Sequence, residues 1–95
     1  MRAIVRDEAV LGGAPRLDGT RVGVLHLLHR YEAGESPEEI AADYDGVSVA
    51  DVHGALAYAF DNPEEMRTLE QAGQEAIERI REGRPVDPAE STERA

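Results

Sequence analysis

Two histidines have the spacing in this sequence that best suits metal chemistry. His26 and His29 stand three residues apart, which on a helix places both imidazoles on one face, where they could meet a single metal ion. No third ligand follows at a sensible spacing, and solvated histidines are more common at such positions. Asp43, Asp45 and Asp51 resemble a calcium-binding loop only loosely, because the glycine of that run is misplaced. We therefore expect no bound metal and no cofactor.

Catalytic motifs are also missing from the sequence. It has no cysteine, which excludes thiolate nucleophiles, thiolate metal sites and disulfides. No serine has an evident histidine and aspartate partner, and the pair Gly12-Gly13 lacks the spacing of a phosphate-binding loop. We expect a binding protein and not an enzyme.

The segment Ser36–Phe60 has the lengths of a helix-turn-helix. Ser36 can cap the first helix, with Pro37 at its first position and Glu39 placed to complete a capping box. Ser48 can cap the longer second helix, which follows a four-residue turn. The pattern fits a DNA-reading motif and also two short helices packed for structural reasons, and both interpretations remain open.

A DNA interface on this motif would draw on few side chains. The outward positions of the second helix carry no arginine or lysine, and arginine makes the most common specific contact to guanine. Ser48 and His53 are the candidates for base contacts, and Asp51 could accept from cytosine. Phosphate contacts would come from helix N-termini and from Arg16, Arg21 or Arg30 nearby. We predict operator DNA binding through Arg16, Arg21, Ser48 and His53.

The charge of the chain is strongly acidic and unevenly placed. Twenty acids face ten basic residues, all of them arginine. This composition indicates adaptation to molar salt, although a genome that encodes arginine in place of lysine would also produce it. Residues 1–31 carry a net charge of +2 and residues 32–95 a net charge of −12, so we expect anions to bind the N-terminal third. With no signal peptide and no apolar run that could span a membrane, we expect a cytoplasmic protein.

The hydrophobic pattern predicts a mostly α fold with a small N-terminal β element. Residues 3–6 form a short β-branched stretch, and Arg16–Val22 is typical of a tight hairpin with Asp18-Gly19 in a type I′ turn. Four helical segments follow, and we expect a three-helix core that contains the helix-turn-helix and then an extended C-terminal helix. The predicted inward residues of the first three are Val24, Leu25, Leu27, Leu28, Tyr31, Ile40, Ala41, Val52, Ala55, Leu56, Ala59 and Phe60.

The predicted fourth helix begins after Asn62 as its cap and ends near Glu82. Its apolar positions form a narrow seam that suits a partner helix or groove, and Met66, Leu69, Ile77 and Ile80 are the predicted partner-binding residues. The seam could instead fold back on the core or pair with a second copy. The chain would thus consist of a domain over residues 1–60, an interaction helix over 61–83 and a disordered tail over 84–95.

Several of these motifs resemble one family when taken in order. The Gly-Gly-x-Pro of residues 12–15, the Gly-Thr-Arg of 19–21 and the Ser-Pro-Glu-Glu-Ile of 36–40 resemble the domain-of-unknown-function family 433 over roughly residues 4–60. Members of that family look like antitoxins of type II toxin–antitoxin modules, with a homeodomain-like helix-turn-helix and a PIN-like ribonuclease toxin commonly encoded alongside.

The resemblance implies two activities. The N-terminal domain would bind its own operator DNA as a homodimer, and the segment after residue 60 would bind and neutralise the PIN-like toxin. The alternative is a protein-interaction adaptor that holds a nuclease partner without binding DNA.

Overall fold

A computed structural model describes residues 1–83, and the predicted tail lies outside the described residues. The fold is mostly α with a short N-terminal strand pair, as the sequence predicts. Among the helices of residues 1–83, none is long and apolar enough to span a bilayer. The elements are β1 (Ile4–Val5), β2 (Arg16–Leu17), α1 (Val24–Glu32), α2 (Pro37–Ala42), α3 (Val49–Asp61) and α4 (Pro63–Arg81).

The strand pair brings the N-terminal segment (residues 1–6) onto the hairpin. β1 and β2 are antiparallel, with Ile4 opposite Leu17. The Leu17 backbone N–H donates to the Val22 carbonyl at 3.0 Å, so the hairpin loop spans residues 18–21. Gly19 has a positive φ of 76°, whereas Asp18 does not. The predicted type I′ turn is therefore wrong, because a four-residue loop does not need positive φ at both central residues.

The helix ends follow the capping signals of the sequence with one exception. Ser36 with Glu39 and Ser48 with Asp51 both form reciprocal capping boxes. Asn62 stands at the start of α4, but its side chain donates to the Tyr58 carbonyl at 2.9 Å and does not cap α4. α4 thus follows α3 directly, and the Asn62 amide bonds the last turn of the preceding helix.

The core lies between the first three helices, β2 and the start of α4. Most of the predicted inward residues are buried, but Tyr31 and Phe60 are 42% and 58% exposed. Ala59 takes the inward position at the end of α3, which turns Phe60 about 100° away from the core. The two rings pack edge to face with centroids 6.2 Å apart. The buried apolar residues are Leu17, Val24, Leu27, Leu28, Ile40, Ala41, Val47, Val52, Ala55, Leu56, Ala59 and Met66.

Candidate functional site

The N-terminal segment covers one face of α3, the second helix of the helix-turn-helix. The Arg2 backbone N–H donates to the Asp51 carboxylate, which also accepts the Ser48 backbone N–H at 2.9 Å. Met1 packs on Gly54, where an added Cβ would lie 2.7 Å from the Met1 sulfur. These backbone N–H groups hold the pKa of Asp51 below its usual value. Because Asp51 is 4% exposed, the expectation that it faces outward and reads cytosine is corrected.

A second contact of the N-terminal segment reaches α4. The Arg6 guanidinium pairs with the Glu65 carboxylate, and the Tyr58 hydroxyl donates to the same carboxylate at 2.7 Å. The arginine lies 5.9 Å from the centre of the Tyr58 ring. The Arg6 guanidinium holds the pKa of Glu65 below its usual value, and burial raises the pKa of Tyr58. This cluster joins the N-terminal segment, α3 and the first turn of α4, and it leaves Tyr58 partly buried.

The opposite face of α3 is open. Ala50, His53 and Ala57 are exposed at helical spacing, and exposed Ser48 stands at the N-terminal end of the helix. We call these four residues the open stripe. Both predicted base-contacting residues, Ser48 and His53, are therefore accessible. The Ser48 hydroxyl already accepts the Asp51 backbone N–H at 3.0 Å as part of the capping box.

The hairpin loop lies beside the turn of the helix-turn-helix. The Arg2 guanidinium donates to the Asp18 carbonyl of the loop at 2.8 Å and to the Gly46 carbonyl of the turn at 2.9 Å. Arg21 belongs to the same loop, is exposed, and has no hydrogen bond or ion pair within residues 1–83. The structure thus places the loop that carries Arg21 next to the turn that precedes Ser48.

Arg16 has a different environment from Arg21. Its Nη1 donates to the Thr20 carbonyl at 2.9 Å, and its Nε is buried without a hydrogen-bond partner among the described residues. Arg16 is partly buried and bonds the hairpin loop from within. Of the two predicted phosphate contacts, Arg21 is therefore the more accessible.

The remaining arginines of the N-terminal third are engaged within the chain. Arg30 bonds both Glu35, at 3.0 Å from its Nε, and Asp43, at 2.5 Å, and thereby joins α1 to the end of α2. The guanidinium lowers the pKa of Glu35, and both carboxylates raise the pKa of Arg30. Arg2 and Arg6 are engaged as described above. The net positive charge that the sequence places before residue 32 is thus mostly balanced by internal acids.

The apolar seam of α4 is divided by the fold. Met66 is 3% exposed and belongs to the core, and Leu69 packs against the core while partly exposed. Beyond Gly73, Ile77 and Ile80 are 50% and 64% exposed. The assignment of Met66 to a partner groove is corrected to a core position, because the first turns of α4 fold back on α1 and α3. Ile77 and Ile80 keep the accessibility that partner binding requires.

A cavity of about 210 Å³ lies where α1, α3 and α4 meet. Its walls combine apolar residues such as Leu28 and Phe60 with the carboxylates of Glu32 and Glu70. His29, Glu32 and Glu70 bring one ligand atom each within 4.8 Å of the others, which makes this a group of described residues that could hold a metal ion.

The fold and these surfaces define a small helical domain built on a helix-turn-helix. The chain belongs to the protein family of unknown function DUF433, whose family model matches residues 4–59. A DUF433 member protein from Anabaena variabilis ATCC 29413, solved at 2.00 Å resolution, is 29% identical in sequence. The two superpose with a TM-score of 0.66 over 72% of this chain and 67% of the other. None of the curated proteins matches the sequence significantly. Nearly all of α3 is covered by the family model, whereas α4 lies outside it.

Proposed function

We propose that the chain is an antitoxin-like binding protein whose main activity is to hold and neutralise a PIN-like ribonuclease through the second half of α4, residues 71–81. The observation that carries the proposal is the pair Ile77 and Ile80, which are half or more exposed on a helix that extends beyond the core. Large apolar side chains grouped on an exposed helix face are typical of helix-in-groove recognition. The proposal includes no catalytic step by the chain itself.

Charge supports a protein partner over a nucleic acid. Within residues 1–83, α3 carries no arginine or lysine, and Arg2, Arg6 and Arg30 are bonded to acids of the chain. Affinity for DNA depends largely on free cations that neutralise phosphates. The adaptor interpretation, binding of a nuclease without DNA, is therefore better supported than operator binding. A PIN-like ribonuclease is the partner that the family resemblance implies.

The test of this proposal is inhibition of a PIN-like ribonuclease, which the family resemblance predicts to be encoded in an adjacent reading frame. Ile80→Asp should abolish binding and restore cleavage of RNA, because a carboxylate would be buried in the apolar groove that the ribonuclease is expected to offer. Gln71→Asp is the matched control, since it adds the same charge on the opposite face of α4 and should bind normally. Full inhibition by Ile80→Asp, or equal loss in both variants, would contradict the proposal.

A second candidate function is operator DNA binding by the helix-turn-helix. It is favoured by one observation, the placement of the Arg21 loop beside the turn before Ser48, with His53 open on α3. Fluorescence anisotropy on the upstream DNA in molar KCl tests it. Sequence-specific binding that is weakened by Arg21→Ala and His53→Ala, but unchanged in His26→Ala, is the expected result for a DNA-binding protein. If the chain shows no preference for the upstream sequence, operator binding is excluded and the adaptor function remains.

A further inference from the structure

Three potential metal ligands converge where α1 packs against α4. The His29 Nε2 lies 2.8 Å from a Glu70 carboxylate oxygen. Glu32 follows His29 by one helical turn, and its carboxylate completes a group whose ligand atoms all lie within 4.8 Å of one another. The third ligand that the sequence spacing did not reveal thus comes from a residue 41 positions further along the chain.

The spacing of these atoms is close to that of a coordination shell. Zinc binds imidazole nitrogen and carboxylate oxygen at about 2.0–2.2 Å, which separates neighbouring ligand atoms by about 3.4 Å in a tetrahedral site. The His29–Glu70 contact of 2.8 Å needs to open by roughly 0.6 Å to match that separation. Because both side chains are 40% or more exposed, rotation about their side-chain bonds can supply this movement without displacing the helices.

The charge of the group also favours a cation. Two carboxylates face one imidazole, and within residues 1–83 neither Glu32 nor Glu70 forms an ion pair with an arginine. Arg67 lines the same cavity but is not within ion-pair distance of either carboxylate in the described structure. The cavity adjoins Glu32 and Glu70 and provides space for an exchangeable fourth ligand, as open metal sites have.

We propose that His29, Glu32 and Glu70 bind one divalent transition-metal ion of the zinc class. A mixed imidazole and carboxylate set suits zinc, manganese, iron or nickel, whereas calcium and magnesium take oxygen ligands. The ion joins α1 to α4 one residue before the second half of α4 begins. The site therefore fixes the direction in which that half extends from the core.

The site can be tested by isothermal titration calorimetry. Bound metal is first removed from the full chain, which is then titrated with zinc chloride. We expect saturable binding of one ion per chain and a higher Tm with zinc. His29→Ala, Glu32→Gln and Glu70→Gln should each weaken binding at least about tenfold, the loss that even an outer-shell partner causes at metal sites. His26→Ala and Glu75→Gln are the matched controls on α1 and α4, and both should bind zinc as the parent chain does.

If His29→Ala or Glu70→Gln fails to fold, Glu32→Gln still tests the site. The Glu32 side chain has no hydrogen bond among the described residues, so its replacement should leave the circular dichroism spectrum unchanged. Absence of saturable zinc binding by the parent chain would overturn the proposal. Undiminished binding by Glu32→Gln, or an equal loss in His26→Ala, would do the same.

Discussion

The two halves of α4 have the same apolar periodicity but opposite environments. The first half, residues 63–70, places Met66 in the core and fixes Glu65 to the N-terminal segment. The second half has the same spacing, yet Ile77 and Ile80 are exposed. A heptad-like seam therefore does not by itself identify a partner surface. The core covers the seam as far as Leu69, and the large apolar residues beyond Gly73 are exposed.

The largest effect should come from the buried end of the seam. Met66→Ala removes a side chain that is 3% exposed and leaves a cavity among α1, α3 and α4. Substitutions of this kind cost about 2–5 kcal/mol. Urea denaturation should show a lower midpoint with an unchanged m-value. A loss below about 0.5 kcal/mol would mean that the first half of α4 does not belong to the core.

A smaller effect is expected from the ion pair that holds the first half. Glu65→Gln removes the charged partner of Arg6 and weakens the bond from Tyr58, for a loss of about 1 kcal/mol. The equivalent change in the second half, Glu75→Gln, should be neutral, because Glu75 is exposed. Parallel thermal melts of the two variants test the difference, and equal Tm values would contradict it.

Acid should weaken the first half through the same carboxylate. The pKa of Glu65 is lowered from 4.5 in the folded chain by the Arg6 guanidinium. Its stabilising contribution is therefore complete above about pH 4.5 and is lost as the pH falls through the lower folded pKa. Glu35 and Asp51 have lowered pKa values and act in the same direction. The unfolding free energy should fall steeply below pH 4.5, and the Glu65→Gln variant should show a shallower fall.

The dependence of stability on salt separates the effect of charge repulsion from the effect of apolar packing. The net charge of −10 opposes the compact state, and at 1 M salt the Debye length of about 3 Å screens that repulsion. We expect a higher Tm in molar KCl than in low salt, both for the parent chain and for Met66→Ala. The Tm difference between the two proteins should remain, because salt does not refill a cavity. Greater stability without salt would contradict the proposed salt adaptation.

The smallest effect on stability should come from the exposed end of the seam. Ile77→Ala and Ile80→Ala remove side chains that are 50% and 64% exposed. Their unfolding free energies should stay within about 0.5 kcal/mol of the parent value. A larger loss would show that the second half of α4 also packs on the chain or on a second copy. Size-exclusion chromatography would separate those two explanations.

Local features of the fold were predictable from the sequence, and long-range contacts were not. The capping boxes at Ser36 and Ser48 depend on residues three positions apart, so the sequence pattern reveals them directly. The burial of Asp51 depends on Arg2, which lies 49 positions away. The turn type is a local exception, because Gly19 has a positive φ and Asp18 does not.

The candidate sites show the same contrast between local features, which the sequence predicts, and long-range contacts, which it does not. Helical spacing placed Ile77 and Ile80 on one seam, but the point at which the core ends depends on the packing of α1 and α3 against α4. Periodicity alone therefore could not separate Met66 from them. The pairing of Glu70 with His29 likewise requires the crossing of two helices that are distant in sequence.

Hydrogen exchange tests the division of α4 most directly. The backbone amides of residues 71–81 should exchange rapidly in the free chain and slow markedly when the proposed partner, a PIN-like ribonuclease, is bound. The amides of residues 63–70 should be protected in both states because Met66 is buried in the core. Unchanged exchange of residues 71–81 on binding, with new protection confined to α2 and α3, would contradict the account.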